Sequence, residues 1–245
     1  YININIKKKH LPSLLKIAVL QPIAYFTCET FGIQMTTASE SGSIIACIPI
    51  ASLVASILFL QKKPTRFQTS GICLTVVGVI VCVTAKGFES SFSGIGYIML
   101  CMAVLSYSLY CVSAEKAYKT TSIEKTYVMI ACGACFFATM AIARSIAAGT
   151  VVDLFMLPFQ NTVFLFSILY LGIASSVLSF VLFNISISSI GTNKASSFVG
   201  ISTAVSVLAG VFILDEKFSA MQCYGTLIIL LGVYIANMKS RFFWR

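Results

Sequence analysis

Polar side chains inside long apolar runs are the residues of this sequence whose types and spacing could do chemistry. Glu29 is the one acidic residue well inside such a run, and Tyr25 and Gln21 precede it by four and eight residues. On a helix these three side chains share one face. A carboxylate beside a phenol and an amide could exchange a proton or bind a cationic group. Two structural interpretations stay open, namely a carboxylate paired with a neighbour and one that reaches water.

Two tyrosines in a later run form a second candidate group. Tyr107 and Tyr110 are three residues apart, so a helix places them on one stripe. They could form the aromatic wall of a cavity. They could also serve, as such tyrosines more often do, as packing residues or as anchors at the membrane interface.

A third candidate group lies in an apolar run of the C-terminal half. Ser176, Phe180 and Asn184 follow one another at four-residue steps and share a helix face, with Ser179 beside them. Asn184 is the deepest amide of this half, and it could bind a solute or hydrogen-bond to a neighbouring helix. The three groups together are the candidate lining of a polar path through an apolar protein.

The elements that must position these groups are membrane-spanning helices. Hydrophobic residues make up 58% of the chain and charged residues 10%, whereas soluble domains carry about 25% charged residues. The runs are continuously apolar rather than alternating, which favours helices over strands in a lipid bilayer. Eight runs reach the length of about 20 residues that a crossing needs. They lie at Leu11–Met35, Gly42–Leu60, Phe67–Ala85, Gly94–Ala114, Tyr127–Ala148, Thr162–Ile187, Ala195–Leu214 and Met221–Met238.

The distribution of basic residues predicts the orientation. Thirteen Lys and Arg residues fall on the side of the membrane that holds both ends of the chain, and three, at Lys86, Arg144 and Lys217, fall on the other side. Because basic loops stay in the cytoplasm, we expect both ends of this chain to be cytoplasmic and the protein to be multi-pass in the inner (plasma) membrane. The same sorting accounts for the net charge of +9 without a nucleic-acid partner.

The chain contains a weak internal repeat with an offset of 154 residues. Nine of the 48 positions from residue 38 to residue 85 are identical to their counterparts, among them the pairs Gly71–Gly225 and Gly78–Gly232. The offset corresponds to five crossings, an odd number, so the second copy must enter the membrane from the opposite side. Inverted repeats of this kind are common among secondary transporters.

The repeat predicts how the domains are organised. Residues 1–87 would hold three helices of a first copy, and residues 94–239 would hold a complete second copy of five helices. Under the offset, the first of the three helices corresponds to Thr162–Ile187, and two helices of the second copy precede Thr162–Ile187. We therefore expect two more helices upstream of the first copy. The prediction is an all-α polytopic fold with eight spans present, which form most of a ten-helix, five-plus-five arrangement lacking its first two helices.

The residues from Gly191 to Lys239 resemble the closing helix pair of the EamA family, in the drug/metabolite transporter superfamily. Asp215 stands where that family usually has glycine. The resemblance implies a ten-helix transporter with inverted repeats and a central cavity that opens alternately to each side. The matching residues are Gly191, Lys194, Ala195, Ser196, Glu216, Ser219, Gln222, Gly225 and Gly232.

The leading hypothesis is therefore a secondary transporter of small organic solutes, with a coupled proton as an option and a homodimer left open. A phosphorylated-solute or nucleotide-sugar exchanger would need several cavity-facing basic groups, for which Lys16 and Lys194 are the nearest candidates. A non-transporting membrane scaffold stays open as well. The sequence has no paired carboxylates, histidine-rich set or phosphate-binding loop, so we expect no enzyme activity, metal or cofactor.

Overall fold

The computed structural model describes residues 10–84, 93–202, 204–205 and 220–238, and these residues are helical apart from short joins, with no strand among them. The core of a bilayer holds no water to bond the backbone. A helix suits apolar side chains there, because it pairs its own backbone N–H and C=O groups. Residues 199–202 are also helical. The helices used below are α1 Leu11–Met35, α2 Ala38–Ile45, α3 Ile48–Leu60, α4 Arg66–Thr84, α5 Gly94–Lys116, α6 Ser122–Ala148, α7 Val151–Gln160, α8 Thr162–Ile190, α9 Thr192–Ser197 and α10 Ala220–Asn237.

Six stretches of the described chain are long and apolar enough to cross a bilayer: α1, α5, α6, α8, α10 and the joined pair α2–α3 from Glu40 to Leu60. They confirm the all-helical, multi-pass class. The third predicted span corresponds to α4, which is apolar from Arg66 to Cys82. Half of the seventh predicted span, Ala195–Leu214, lies outside the described residues.

Helix starts and ends follow local capping signals. Thr37 and Glu40 form a capping box at the start of α2, and Thr121 and Glu124 form another at the start of α6. The second box starts α6 at Ser122, ahead of the predicted start of this span at Tyr127. Gly149 ends α6 with a φ of 69°, a left-handed conformation that glycine adopts without strain.

The join between α6 and α8 forms a helix of its own, α7, which the eight predicted spans do not include. Its apolar side chains are exposed within the chain, and Phe159 reaches 86% exposure. A short apolar helix beside the ends of two spans is typical of a segment that lies in the membrane interface. Its ten residues are too few to cross the bilayer.

Both α1 and α8 depart from regular α-helix in their middle. In α1 the departure is a kink within Val19–Ala24, with extended backbone at Gln21 (φ −142°, ψ 119°) before Pro22, and in α8 it is a π-helical segment, Tyr170–Leu178. The offset of the sequence repeat relates the ends of the two segments, residues 24 and 178. Each segment leads directly into the part of its helix that carries the candidate polar and aromatic residues.

α4 and α10 pack closely along a row of glycines. A Cβ atom added to Gly71 would lie 2.6 Å from the carbonyl oxygen of Gly232, and one added to Gly78 would lie 2.8 Å from that of Gly225. Real Cβ contacts are essentially never shorter than 3.0 Å, so glycine is what permits this approach. Close backbone packing at small residues is the usual way in which helices associate in a bilayer.

Candidate functional site

Six aromatic rings from α1, α5 and α8 meet in one place, which we call the aromatic cluster. At its centre, Tyr107 lies 5.2 Å from Tyr25 and 5.7 Å from both Tyr110 and Phe183, measured between ring centroids. At its edge, the rings of Phe26 and Phe180 stack with their centroids 6.2 Å apart. The cluster therefore consists of Tyr25, Phe26, Tyr107, Tyr110, Phe180 and Phe183.

Glu29 lies beside the aromatic cluster, one helical turn beyond Tyr25. The Tyr25 hydroxyl is buried and donates a 2.6 Å hydrogen bond to Oε1 of Glu29, which is half-buried. The bond fixes the direction of the carboxylate and leaves part of its surface open. A carboxylate at the edge of a group of aromatic rings suits a cationic group, because carboxylates and aromatic rings both attract positive charge. The predicted pairing with a neighbour and a functional role are thus compatible in this geometry.

Asn184 is fully buried and ties three helices together. Tyr110 donates to its Oδ1 at 3.1 Å, and its Nδ2 donates to Oγ1 of Thr126 at 3.1 Å and lies 3.5 Å from the sulfur of Met129. These bonds connect α5, α6 and α8 at the edge of the aromatic cluster. Hydrogen bonding between helices, one of the two roles expected for Asn184, is what this arrangement provides.

Three candidate residues lie apart from these contacts. Ser176 and Ser179 donate to carbonyl oxygens of their own helix, those of Leu171 at 2.8 Å and Ala174 at 3.2 Å. The wide turn of the π-segment explains this, because it leaves carbonyls for a hydroxyl to bond. Gln21 is only 2% exposed, and its Oε1 has no hydrogen-bond partner among the described residues.

Three charged residues of interest were not among the sequence candidates. Lys125 is 1% exposed, and its Nζ donates to the carbonyl of Ala114 at 2.7 Å. Lys62 and Glu115 form an ion pair. The capping box that begins with Thr121 could have placed Lys125 inside the first turn of α6 rather than in a loop.

A polar cavity of about 550 Å³ opens where the end of α5 meets the end of α8. Hydroxyl groups and the Lys62–Glu115 pair dominate its walls, and Ile187 adds apolar surface. By the predicted orientation this cavity is on the cytoplasmic side. No group of three or more His, Cys, Asp or Glu side chains that could hold a metal ion occurs in the described part of the chain.

Comparisons with known proteins give the family. The pattern of the EamA-like transporter family matches residues 2–84 and 94–238. The uncharacterized transporter YcxC of Bacillus subtilis strain 168 is 33% identical over 241 residues, which cover 98% of this chain and 77% of that protein. An uncharacterized transporter of Archaeoglobus fulgidus is 23% identical over 235 residues, covering 96% and 80% of the two chains.

A solved crystal structure shares the fold. It superimposes with a TM-score of 0.74 at 14% sequence identity, over 96% of this chain and 79% of the other. Fold, apolar spans and sequence relatives agree, and together they favour a transporter over an enzyme. The chain belongs to the EamA-like transporter family and is a multi-pass membrane transporter.

Proposed function

We propose that the protein is a secondary transporter that moves small organic solutes across the inner membrane by alternating access. The observation that carries the proposal is the convergence of α1, α5 and α8 on the aromatic cluster with Glu29 at its edge. Polar and ionisable groups inside a bilayer are costly, and they mark substrate or ion pathways. A carboxylate with a fixed direction next to six rings offers a place for the ammonium group of a solute or for a coupled proton.

Alternating access is supported by the inverted repeat that the proposal includes. The 154-residue offset pairs Gly71 with Gly225 and Gly78 with Gly232. The Gly71–Gly232 contact and the Gly78–Gly225 contact are therefore equivalent under the repeat. Phe26 and Phe180 are counterparts of each other, and their rings stack. This is what a two-fold axis in the membrane plane, running through the aromatic cluster, would produce. Rocking of two inverted copies about a central site would then expose the site to each side in turn.

The ten-helix arrangement, with copies at residues 1–87 and 94–239, belongs to the same proposal. α5 and α6 pack on α1, and in such a fold their counterparts would pack on α8. Nothing between residues 162 and 183 of α8 is buried within the described chain. That face of α8 is therefore available to two further helices.

The alternative substrates, phosphorylated solutes and nucleotide sugars, fit the aromatic cluster less well. Lys16 is exposed near the start of α1, and Lys194 lies in α9 near the cavity at the end of α8. Lys125 is buried, but it bonds to the carbonyl of Ala114 and to Ser188. A phosphate group would need several basic partners at the site, and the six rings and Glu29 supply none.

Flux into proteoliposomes tests the proposal. The purified protein is reconstituted and supplied with labelled amines, amino acids, sugar phosphates and nucleotide sugars, with an imposed proton gradient. We expect uptake of at least one solute that carries an ammonium group. Uptake of the phosphorylated solutes alone would favour the exchanger. A folded protein that moves none of the panel would favour the scaffold.

A further inference from the structure

The inner end of α8 is held in place mainly by polar contacts. Nζ of Lys125 and the hydroxyl of Ser122 both lie 3.4 Å from Oγ of Ser188, and Asn184 makes the buried bonds described above. Ile187 is the one apolar side chain that this end of α8 buries fully. Polar contacts of this kind can be exchanged for water at little net cost, whereas apolar burial cannot.

An ion pair joins this region to the first half of the chain. Lys62, which follows α3, pairs with Oε1 of Glu115 in the last turn of α5. The other oxygen of Glu115 accepts a 2.8 Å hydrogen bond from the backbone N–H of Thr192, directly after α8. The Thr192 hydroxyl donates to the carbonyl of Cys111 at 3.0 Å. The ends of α3, α5 and α8 thus meet at one carboxylate.

One buried layer, made by Asn184 and by Tyr110 at the edge of the aromatic cluster, separates the polar cavity from the other rings of the cluster. Going inward along α8, Ser188 lines the cavity, Asn184 forms the layer, and Phe180 belongs to the cluster. Along α5 the same order is Glu115, Tyr110 and then Tyr107. Tyr110 and Asn184 are fully buried and bonded to each other, so among the described residues they close the direct line along α5 and α8 between the cavity and the other rings.

The backbone on either side of this part of α8 suits a moving segment. The π-segment Tyr170–Leu178 lies upstream, and such segments in the middle of helices are frequent at functional sites. Gly191 lies downstream with a φ of 81°, a conformation that other residues adopt with strain. Residues 179–190 are therefore bracketed by two places where the chain departs from regular α-helix.

We propose that the Lys62–Glu115 ion pair, together with the Glu115–Thr192 hydrogen bond, is a latch that holds the inner end of α8 closed against α5. Opening of the latch lets Asn184 leave Tyr110, and the cavity then joins the aromatic cluster. The inference rests on the proposed alternating access and assigns it an inner gate. The pair is 50% exposed at Lys62 and 15% at Glu115, so water reaches it and it can break and re-form.

Accessibility of Cys111 tests the latch. This native cysteine is fully buried, and its backbone carbonyl accepts the Thr192 hydroxyl. A variant that keeps it as the sole cysteine can be labelled with a membrane-impermeant maleimide in inside-out vesicles. Lys62→Ala and Glu115→Gln should each speed its labelling by about three- to fivefold, the population shift expected from losing a half-exposed ion pair. Lys63→Ala removes the neighbouring exposed lysine and should leave the rate unchanged.

A second sole-cysteine background separates gating from unfolding. Cys82 is 2% exposed at the contact between α4 and α10, and its labelling should stay slow in the latch variants. Faster labelling of Cys82 together with Cys111 would show that the pair holds the whole fold, which overturns the proposal. The reversed pair Lys62→Glu with Glu115→Lys should bring the Cys111 rate only part of the way back, because it restores the ion pair but lysine cannot accept the Thr192 N–H.

The dependence of Cys111 labelling on salt concentration tests the latch without any substitution at Lys62 or Glu115. Raising the ionic strength screens a half-exposed pair, so labelling of Cys111 should accelerate in the otherwise unchanged protein and in Lys63→Ala. An unchanged Cys111 rate in high salt, and in Lys62→Ala or Glu115→Gln where they fold, would overturn the latch. Labelling needs no transported solute, so a failed flux assay with intact labelling responses would count against the proposed function and not against the latch.

Discussion

The contact between α4 and α10 allows the inverted repeat to be tested by its energetics. In Gly78→Ala the new Cβ would lie 2.7 Å from the backbone N of Ile229 and 2.8 Å from the Gly225 carbonyl oxygen, so the two helices must move apart by about 0.7 Å at this point to reach an ordinary 3.4 Å contact. Overpacking of this kind costs about 1–3 kcal/mol, and the better helix propensity of alanine returns about 1 kcal/mol. We expect a net loss of up to about 2 kcal/mol in the free energy of unfolding.

The repeat makes this a paired prediction. Gly232 is the counterpart of Gly78, and its added Cβ would lie 2.5 Å from the backbone N of Thr75 and 2.8 Å from the Gly71 carbonyl oxygen. Both alanine variants should therefore lose stability, and Gly232→Ala should lose at least as much as Gly78→Ala. Gly172→Ala is the matched control, because nothing lies within 4 Å of its added Cβ. Equilibrium unfolding in detergent micelles gives the three values. A large loss in one of the pair with none in the other would refute the symmetric contact.

Two further predictions concern the buried layer and the orientation. Tyr110→Phe removes the hydrogen bond to Asn184 and leaves a buried amide oxygen with one partner fewer, so it should lower the free energy of unfolding by about 1 kcal/mol while Tyr118→Phe, an exposed control, changes little. A cysteine at position 63 should react with impermeant maleimide only from the cytoplasmic side, and one at position 217 only from outside. Labelling of either from the opposite side would contradict the predicted orientation.

The sequence was sufficient for the fold class and for part of the candidate site. Apolar runs fix the positions of helices in a bilayer, because no other structure satisfies the backbone there. Helix periodicity placed Tyr25 and Glu29 on one face, and they share a hydrogen bond in the structure. Tyr107 and Tyr110 likewise lie on one stripe of α5 and meet in the aromatic cluster. Their role in transport remains a prediction.

Contacts between distant parts of the chain could not be predicted in the same way. Periodicity gives the face of a helix but not the helix it meets, so the partners of Asn184 and the pairing of Lys62 with Glu115 required the fold. Ser176 and Ser179 donate to carbonyl oxygens five residues back in their own helix, which the regular helical period does not indicate. Their place on a transport path stays a prediction. The helix α7 escaped prediction because its ten residues are too short to signal a span.

Uptake by the Glu29→Gln variant is the most direct test of a transport path that passes this carboxylate. Glutamine keeps the shape of the side chain and removes its charge and its titration. Proton-driven uptake of a solute found in the panel should be abolished, or its pH dependence strongly altered, between about pH 5.5 and pH 8. Glu124→Gln, which changes only the exposed capping box of α6, should transport normally. Wild-type uptake by Glu29→Gln across this range would contradict the account and make Glu29 a structural residue.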